Sequence, residues 1–366
     1  SQSEFEVTLD PDGITVEYLD ITNSGEPDSY LTYELTVSPF ANPQAIVDSY
    51  GYGWSTSEVD DYIDFEWVDI SENNVTLEFE SNDLSPGYFD IGFEFPFYGS
   101  SYSEILINPN GWAGFGEDNN EWDNQSIFDE DSPRNAIFGY WDDMNPVSTD
   151  NEQGEGYVRY HSNVDRMVIW YDDVIHWTNN DLRYDFQIIL YSTGEIKVNY
   201  REMQGVSNDG ATIGIVNHDG TIGQQVGFGD SQIPDDLALF FKDSPDWLTL
   251  SQTEGALLTD QTDTIALGID MIGYESGDHI SYLSISTDIL ADVIIQIIIH
   301  VNQLDYLMGD LNEDGMVDIL DVILCVSIVI EITEPTAYES LASDMNQDGE
   351  LNVLDVMILV DIVLEI

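Results

Sequence analysis

Short segments in which apolar and polar residues alternate run through the chain up to about residue 303. The clearest of them are Phe5–Leu9, Thr15–Ile21, Tyr30–Val37 and Val75–Glu80. Such alternation is typical of β-strands with one buried face, and clusters of Gly, Pro, Asn and Asp between the segments mark turns. Many short strands with regular turns predict a mainly β protein of the sandwich or jelly-roll class.

Helical spacing of apolar residues begins only after residue 315. It involves Val317, Leu320, Ile323 and Leu324, and again Leu351, Leu354, Ile358 and Leu359. This pattern predicts a small all-α module at the C-terminal end. The longest apolar run, Val293–Val301, has nine residues and is predicted to be a buried strand, because a membrane-spanning helix needs about 20. We therefore expect no membrane span.

Acidic residues far outnumber basic ones, with 72 Asp and Glu against 7 Lys and Arg and a formal net charge of −65. This balance argues against nucleic acid and anionic membrane surfaces as partners, because both bind basic faces. The acidic residues are spread along the chain, which favours a saline extracellular setting and bound divalent cations that reduce the repulsion. The chain begins at Ser1, as either a processed secreted protein or a trimmed sequence would.

A single cysteine, Cys325, excludes an internal disulfide framework. It stands between Leu324 and Val326 in the helical pattern, so we predict that it is a core residue. Metal ions are then a more plausible source of cross-linking than disulfides.

Two loops rich in Asp and Asn follow one another at a spacing of 34 residues. Their oxygen-bearing side chains are Asp310, Asn312, Asp314, Asp318 and Asp321 in the first loop, and Asp344, Asn346, Asp348, Asn352 and Asp355 in the second. These are positions 1, 3, 5, 9 and 12 of a Ca²⁺-binding loop, with Gly at position 6 for the sharp turn. Position 7, which is Met316 or Glu350, would offer its backbone carbonyl. A plain Asp-Asn-Gly turn would not explain two complete copies.

The two loops, each running directly into an apolar helix, resemble a type I dockerin over about residues 305–366. The resemblance implies two bound Ca²⁺ and a cohesin-like partner, recognised by the side chains at loop positions 10 and 11. Those are Ile319-Leu320 and Val353-Leu354, where hydroxyl pairs are common in cellulosomal dockerins. The apolar pairs either bind a different, apolar partner surface or pack within the chain.

A second resemblance is divided between the two ends of the β region. Residues 1–38, with an Ile-Thr-Asn-Ser-Gly turn at residues 21–25, are similar to the opening strands of a bacterial immunoglobulin-like domain of the BACON or choice-of-anchor kind. The usual continuation, Trp-Leu-x-x-Ser-x-x-x-Gly, occurs only at residues 247–255. We therefore predict one sandwich, residues 1–38 and 244–303, interrupted by an insert at residues 39–243, and a dockerin-like domain at residues 304–366. Two unrelated small β units are the alternative.

The insert resembles a nidogen-like β domain of extracellular proteins over about residues 86–242. The blocks that carry the resemblance include residues 91–99, 105–116, 138–146, 186–200 and 211–217. The resemblance implies secretion and contact functions rather than catalysis. Asp142 and Asp143 follow an aromatic strand in this insert and are candidate ligands of an additional Ca²⁺, although an ordinary Asp-Asp turn would look the same.

The motifs of common hydrolases, nucleotide-binding proteins and zinc proteases are missing from the sequence, and its five histidines have no ligand-like spacing. With so many carboxylates, an acid pair typical of a glycosidase carries no information. Trp112, Trp122 and Trp177 are candidate platforms for sugar rings. Most tryptophans of a β-sandwich lie in the core, so burial is the other interpretation of these three residues.

These observations predict a secreted, calcium-binding, non-enzymatic surface or structural protein. In the main hypothesis it assembles with itself, through its terminal modules, into an extracellular filament or surface layer. The alternative is a dockerin-anchored adhesin or carbohydrate-binding protein held by a cohesin-like partner. A hydrolase using an acid pair inside the insert is a third possibility.

Overall fold

A computed structural model describes residues 4–41, 47–118, 120–146, 156–205, 210–229, 232–303, 306–330, 332–346, 349 and 351–364. The protein is mainly β, as predicted, and the helices of its described part all follow residue 318. The first ten strands are β1 (Glu4–Leu9), β2 (Ile14–Thr22), β3 (Tyr30–Ser38), β4 (Tyr52–Thr56), β5 (Val75–Thr76), β6 (Tyr88–Phe97), β7 (Ser100–Asn108), β8 (Trp112–Gly114), β9 (Ala136–Trp141) and β10 (Tyr157–Ser162).

The remaining strands and the helices follow without interruption of this order. The strands are β11 (Arg166–His176), β12 (Asn179–Tyr191), β13 (Ile196–Gln204), β14 (Ala211–Val216), β15 (Gly223–Gly229), β16 (Leu237–Asp243), β17 (Leu248–Leu250), β18 (Glu254–Leu258), β19 (Thr262–Asp270), β20 (Gly277–Thr287) and β21 (Val293–Val301). The helices are α1 (Ile319–Val329), α2 (Ala337–Ser343) and α3 (Val353–Leu364).

Strands from the two ends of the β region pair with one another. In one sheet the order is β17-β19-β2, and in another it is β1-β21-β20-β3-β18. Along β2 and β19, Leu19 lies opposite Ile265, and both side chains are buried. The predicted run Val293–Val301 is confirmed as a strand with the same bounds.

The middle of the chain forms two larger sheets, of order β4-β16-β13-β12-β11-β10-β5 and β15-β14-β9-β8-β7-β6. Their inner faces share one core that includes Phe95, Tyr171 and Phe186. Gly139 on β9 allows close approach, because a Cβ there would lie 2.7 Å from Ile188 and 2.9 Å from Phe186. The packing of these two sheets therefore depends on a position without a side chain.

The strand predicted at Val75–Glu80 is shorter in the structure, where only Val75–Thr76 pairs as β5. Leu77 and Phe79 are nevertheless buried in the core of the two larger sheets. Burial of a loop produced the same apolar alternation that predicts a strand, which is why the sequence overestimated its length.

All seven Lys and Arg residues of the chain lie between residues 134 and 242. Six of them are on strands of the seven-stranded sheet, namely Arg159, Arg166, Arg183, Lys197, Arg201 and Lys242. Four make ion pairs with carboxylates, among them Arg201 with Asp185 at 2.5 Å and Arg183 with Asp173 at 2.7 Å. These strands concentrate the positive charge of an otherwise acidic chain.

The C-terminal helices enclose a small apolar core of Leu311, Val322, Cys325, Ile328, Ala342 and Leu359. Cys325 is fully buried, as predicted, and burial raises the pKa of its thiol to about 11. Helix α2 was not predicted from the sequence. Its signal is a capping box, in which Thr336 accepts from the Glu339 N–H and Glu339 accepts from the Thr336 N–H.

The chain divides into two compact units, residues 1–31, 246–280 and 297–366, and residues 32–245 and 281–296. The predicted domain limits, with a sandwich at residues 1–38 and 244–303, stay a prediction.

Candidate calcium loops and docking surface

The first Asp-rich loop is organised by two buried carboxylates, those of Asp310 and Asp321, which are 2% and 0% exposed. Asp321 Oδ1 accepts from the N–H groups of Leu311 at 2.9 Å and Asn312 at 3.1 Å, and its Oδ2 accepts from that of Asp318 at 2.8 Å. The Gly315 N–H donates to Asp310 Oδ2 at 2.8 Å, and the positive φ of 83° at Gly315 provides the sharp turn. The loop is thus closed around its first and last predicted ligands.

The second loop repeats three of these four hydrogen bonds 34 residues later. Asp355 is fully buried, and its Oδ1 and Oδ2 accept from the N–H groups of Asn346 at 3.3 Å and Asn352 at 2.9 Å. Asp344 Oδ2 accepts from the Gly349 N–H at 3.0 Å. In their described residues the two copies therefore share backbone hydrogen bonds as well as a spacing. Asp348 and Glu350, two of the predicted ligands, lie outside the described residues.

Each loop also starts a helix. Asp318 caps α1 through its side chain, which accepts from the Leu320 N–H at 2.7 Å, and Asn352 accepts from the Leu354 N–H at 2.9 Å. Asp321 completes the capping box of α1. The ninth and twelfth positions of the loop thus hold the beginning of the helix, so the loop and the helix form as one unit.

The donor set suits a hard divalent cation. Carboxylate, amide and carbonyl oxygens are the ligands that Ca²⁺ prefers, and the first loop offers Asp310, Asn312, Asp314, the Met316 carbonyl, Asp318 and Asp321. Residues 306–366 contain 14 Asp and Glu and no Lys, Arg or His, so no side chain of this segment can neutralise the buried carboxylates. In the described part, no three acidic, His or Cys side chains are grouped closely enough to hold a metal, so an ion would have to draw them together.

The four side chains predicted to contact a partner are exposed. Ile319 is 56% exposed, Leu320 55%, Val353 61% and Leu354 52%. Packing within the chain, one of the two interpretations of these apolar pairs, is therefore not what the structure shows. They form two exposed apolar pairs, Ile319-Leu320 at the start of α1 and Val353-Leu354 at the start of α3. We call them the docking pairs.

Asp142 and Asp143, the candidates for an additional ion, lie at the end of β9 and are 0% and 8% exposed. Asp142 Oδ2 accepts from the Tyr184 hydroxyl at 2.9 Å, and its Oδ1 lies 3.5 Å from His176 Nε2. The Thr178 N–H donates to His176 Nδ1 at 3.0 Å, which assigns the ring proton to Nε2, the atom that faces Asp142. Protein donors therefore surround Asp142, and an ion at this position stays a prediction.

The three tryptophans named as sugar platforms differ in exposure. Trp112 is buried at 1% exposure, in a cluster with Phe138 and Trp141, so it was wrongly included. Trp122 and Trp177 are 48% and 37% exposed. The sequence could not separate them, because exposure of an aromatic residue depends on which loop covers its sheet.

Among the helices of the described residues, none has both the length and the apolar character needed to cross a membrane.

Residues 61–234 match the family described as NIDO related, and residues 308–364 match the Dockerin type I domain. No curated protein matched the chain. Dockerin type I domains bind calcium and cohesin partners, and both kinds of domain are non-catalytic modules typical of extracellular proteins. The chain thus carries a NIDO-related domain in its middle, followed by a type I dockerin domain.

Proposed function

We propose that the protein is a secreted, non-enzymatic structural protein that docks through its calcium-loaded dockerin domain and joins with further copies into an extracellular filament or surface layer. The observation that carries this proposal is the position of the docking pairs. Each exposed apolar pair stands immediately between the ninth and twelfth positions of a calcium loop.

Calcium would control the docking pairs through the helix starts. Asp318 and Asp321 flank Ile319 and Leu320, and both carboxylates also hold the first turn of α1. A cation bound by these carboxylates fixes the same backbone that presents the apolar side chains. Two ions, one in each loop, would order both docking pairs together.

The chemistry of the docking pairs suggests an apolar partner surface with a basic rim. Burying exposed Ile, Leu and Val side chains favours association, and the acidic residues around them favour cationic side chains at the edge. The partner is either another copy of this chain or a cohesin-like protein.

A structural rather than catalytic role is supported by where the polar groups of the NIDO-related domain lie. Its polar cluster of Asp142, Tyr184 and His176 is buried, and both carboxylate oxygens of Asp142 accept hydrogen bonds from protein groups, the Asp143 N–H and the Tyr184 hydroxyl.

Sedimentation of the whole chain in millimolar Ca²⁺ and after chelation with EGTA tests the assembly. We expect large particles that dissolve on chelation, and we expect the double variant Leu320→Asp/Leu354→Asp to form no such particles in Ca²⁺ while still binding the ion by calorimetry. Leu290→Asp, at a residue 65% exposed, is the matched control and should assemble like the native chain. Monomers of the native chain under both conditions would refute self-assembly.

An adhesin that binds glycans is a second candidate, favoured by the exposure of Trp122 and Trp177. A glycan screen should then give saturable binding that Trp122→Ala abolishes. Trp112→Ala is not informative here because that residue is buried. Absence of any saturable glycan would remove this candidate.

A further inference from the structure

Strand β1 is held to its sheet by few side chains. It is an edge strand, and of its six residues only Phe5 is buried. Its neighbour β21, in contrast, contributes Ile297, Ile299 and Val301 to the buried interior. Removing β1 would leave these β21 residues in place and open a backbone edge that can pair with another strand.

The polar attachment of β1 centres on His300 of β21. Its Nε2 lies 2.8 Å from Glu6 Oε1, and its Nδ1 lies 2.6 Å from Asp278 Oδ1 of β20. Because both ring nitrogens face carboxylates, the ring fits this position best as the doubly protonated cation. Hydrogen bonds to Asp278 and then to Glu6 raise the pKa of His300 above its usual value.

The turn that joins β1 to β2 is short and strained. The Gly13 N–H donates to the Asp10 carbonyl at 2.9 Å, and Asp12 has a φ of 58°, in the left-handed region. Pro11 stiffens the same turn. Short hinge loops under strain favour exchange of the attached element between identical chains, because the open form relieves the strain.

We propose that β1 is exchanged between copies, with β1 of one chain leaving its own β21 and pairing with β21 of a second chain. A second copy of the chain is the partner that fits this edge. Its β1 can make the same backbone hydrogen bonds to β21, and its Phe5 and Glu6 can occupy the same positions. Exchange in a closed pair gives a dimer, and exchange onto successive copies gives a fibre.

Protonation of His300 controls the exchange. The charged side chains on its face are Glu4 and Glu6 on β1 and Asp278 on β20. When His300 loses its proton, the attraction to Glu6 disappears and the two carboxylates that flank the ring are left facing each other. Exchange is therefore fastest above the pKa of His300 and in high salt, which weakens the ion pairs.

The exchange deepens the proposed self-assembly and rests on it for its biological role, but its contact is separate from the dockerin. The test is therefore made with EGTA present, where calcium-dependent docking does not contribute. A negative result for the exchange of β1 then leaves calcium-dependent docking untouched, and a negative result for docking leaves the exchange untouched.

A cross-linking experiment distinguishes exchanged from unexchanged β1. The full-length variants Glu6→Cys and His300→Cys are mixed at about pH 8 and about 1 M NaCl, where the Debye length is about 3 Å, and then oxidised. We expect a disulfide-linked dimer on a non-reducing gel, because exchange holds the two cysteines side by side, whereas cysteines of unexchanged chains meet only by collision. A mixture of His300→Cys with Thr264→Cys, an exposed position on β19, should give none.

The double variant Glu6→Cys/His300→Cys shows whether the disulfide can form. If it closes within one chain while the mixture yields only monomers, the exchange is refuted. If the disulfide of the double variant does not form, size-exclusion chromatography shows whether the chains exchange β1. Oligomers of the native chain that are lost when three flexible residues are inserted after Asp12 support the exchange, and monomers of both chains overturn it.

Discussion

Asp321 shows how one residue can serve both a loop and a helix. It accepts hydrogen bonds from three backbone N–H groups, belongs to the capping box of α1 and stands at the last predicted ligand position of the first Asp-rich loop. A fully buried carboxylate with no cationic side chain in its segment is unfavourable unless an ion compensates it. If Asp321 ligates calcium as predicted, it links metal binding to the fold of the C-terminal helices.

Replacing Asp321 with Asn tests this link. Asp321→Asn keeps the size of the side chain but removes its charge and turns an amide NH₂ toward backbone N–H donors. We expect the Ca²⁺ affinity of the first loop to fall by at least about tenfold, equivalent to about 1.4 kcal/mol, as measured by calorimetry.

The matched control is Glu313→Gln, at an exposed residue of the same loop that is not a predicted ligand. Equal affinities for the two variants would show that Asp321 does not ligate the ion.

At the scale of single residues, the sequence predicted what depends on local spacing. The burial of Cys325 follows from a helical period, whereas the loop ligands stay a prediction and the exposure of the docking pairs was left open by the sequence. The burial of Trp112 does not, since it depends on Phe138 and Trp141 from another strand. The environment of Asp142 is formed by Tyr184 and His176, which are distant in the sequence.

Secondary-structure elements differ in how firmly they are held, and β1 is held by contacts that titrate. The pKa of His300 is raised in the folded protein, so its pairing stabilises the fold below the unfolded value of about 6.5, and this contribution is lost as the pH rises through the folded pKa. Backbone exchange and side-chain charge are thereby coupled at one edge of the sheet.

The pH dependence of this edge can be measured directly. We expect the melting temperature of the native chain to exceed that of His300→Gln at about pH 6 and the difference to shrink toward zero well above that pH. His279→Gln is the control, because His279 Nε2 lies 2.8 Å from the backbone carbonyl of Glu275 rather than from a carboxylate. A constant difference between native chain and His300→Gln would exclude His300 as the titrating group.

At the element scale, strands were predicted well because most have one buried face. The bounds of β1, β2, β3 and β21 lie within one residue of the predicted segments. The order of strands in the sheets could not be predicted from the sequence, since β2 and β19 pair residues that are 240 to 256 positions apart. Helix α2 could not be predicted, because its seven residues are too few to show a helical period of apolar residues.

The whole molecule carries a net charge of −65, and the charge is distributed unevenly. The carboxylates are spread along the chain, whereas five of the six cations of the seven-stranded sheet lie within the NIDO-related residues 61–234 and the sixth, Lys242, follows them. Repulsion between carboxylates therefore opposes folding most strongly in the segments that contain no Lys or Arg.

Salt should stabilise the protein for this reason. Raising the ionic strength from about 0.01 M to about 0.15 M shortens the Debye length from about 30 Å to about 8 Å, so we expect the melting temperature in EGTA to rise. Calorimetric scans in NaCl measure the effect of charge screening alone on the melting temperature. The same scans in Ca²⁺ at matched ionic strength measure screening together with calcium binding. A melting temperature independent of NaCl would show that repulsion between carboxylates contributes little to the stability of the folded protein.

The confinement of every Lys and Arg to residues 134–242 also determines which enzymes can degrade the protein. A protease that cleaves after basic residues has no target in residues 1–133 or 243–366, whether these segments are folded or not. Most of its remaining targets lie in paired strands, several of them in ion pairs. Trypsin-like digestion of the unfolded chain would release both ends as large intact fragments, so an assembly built from the two ends would resist this whole class of secreted proteases.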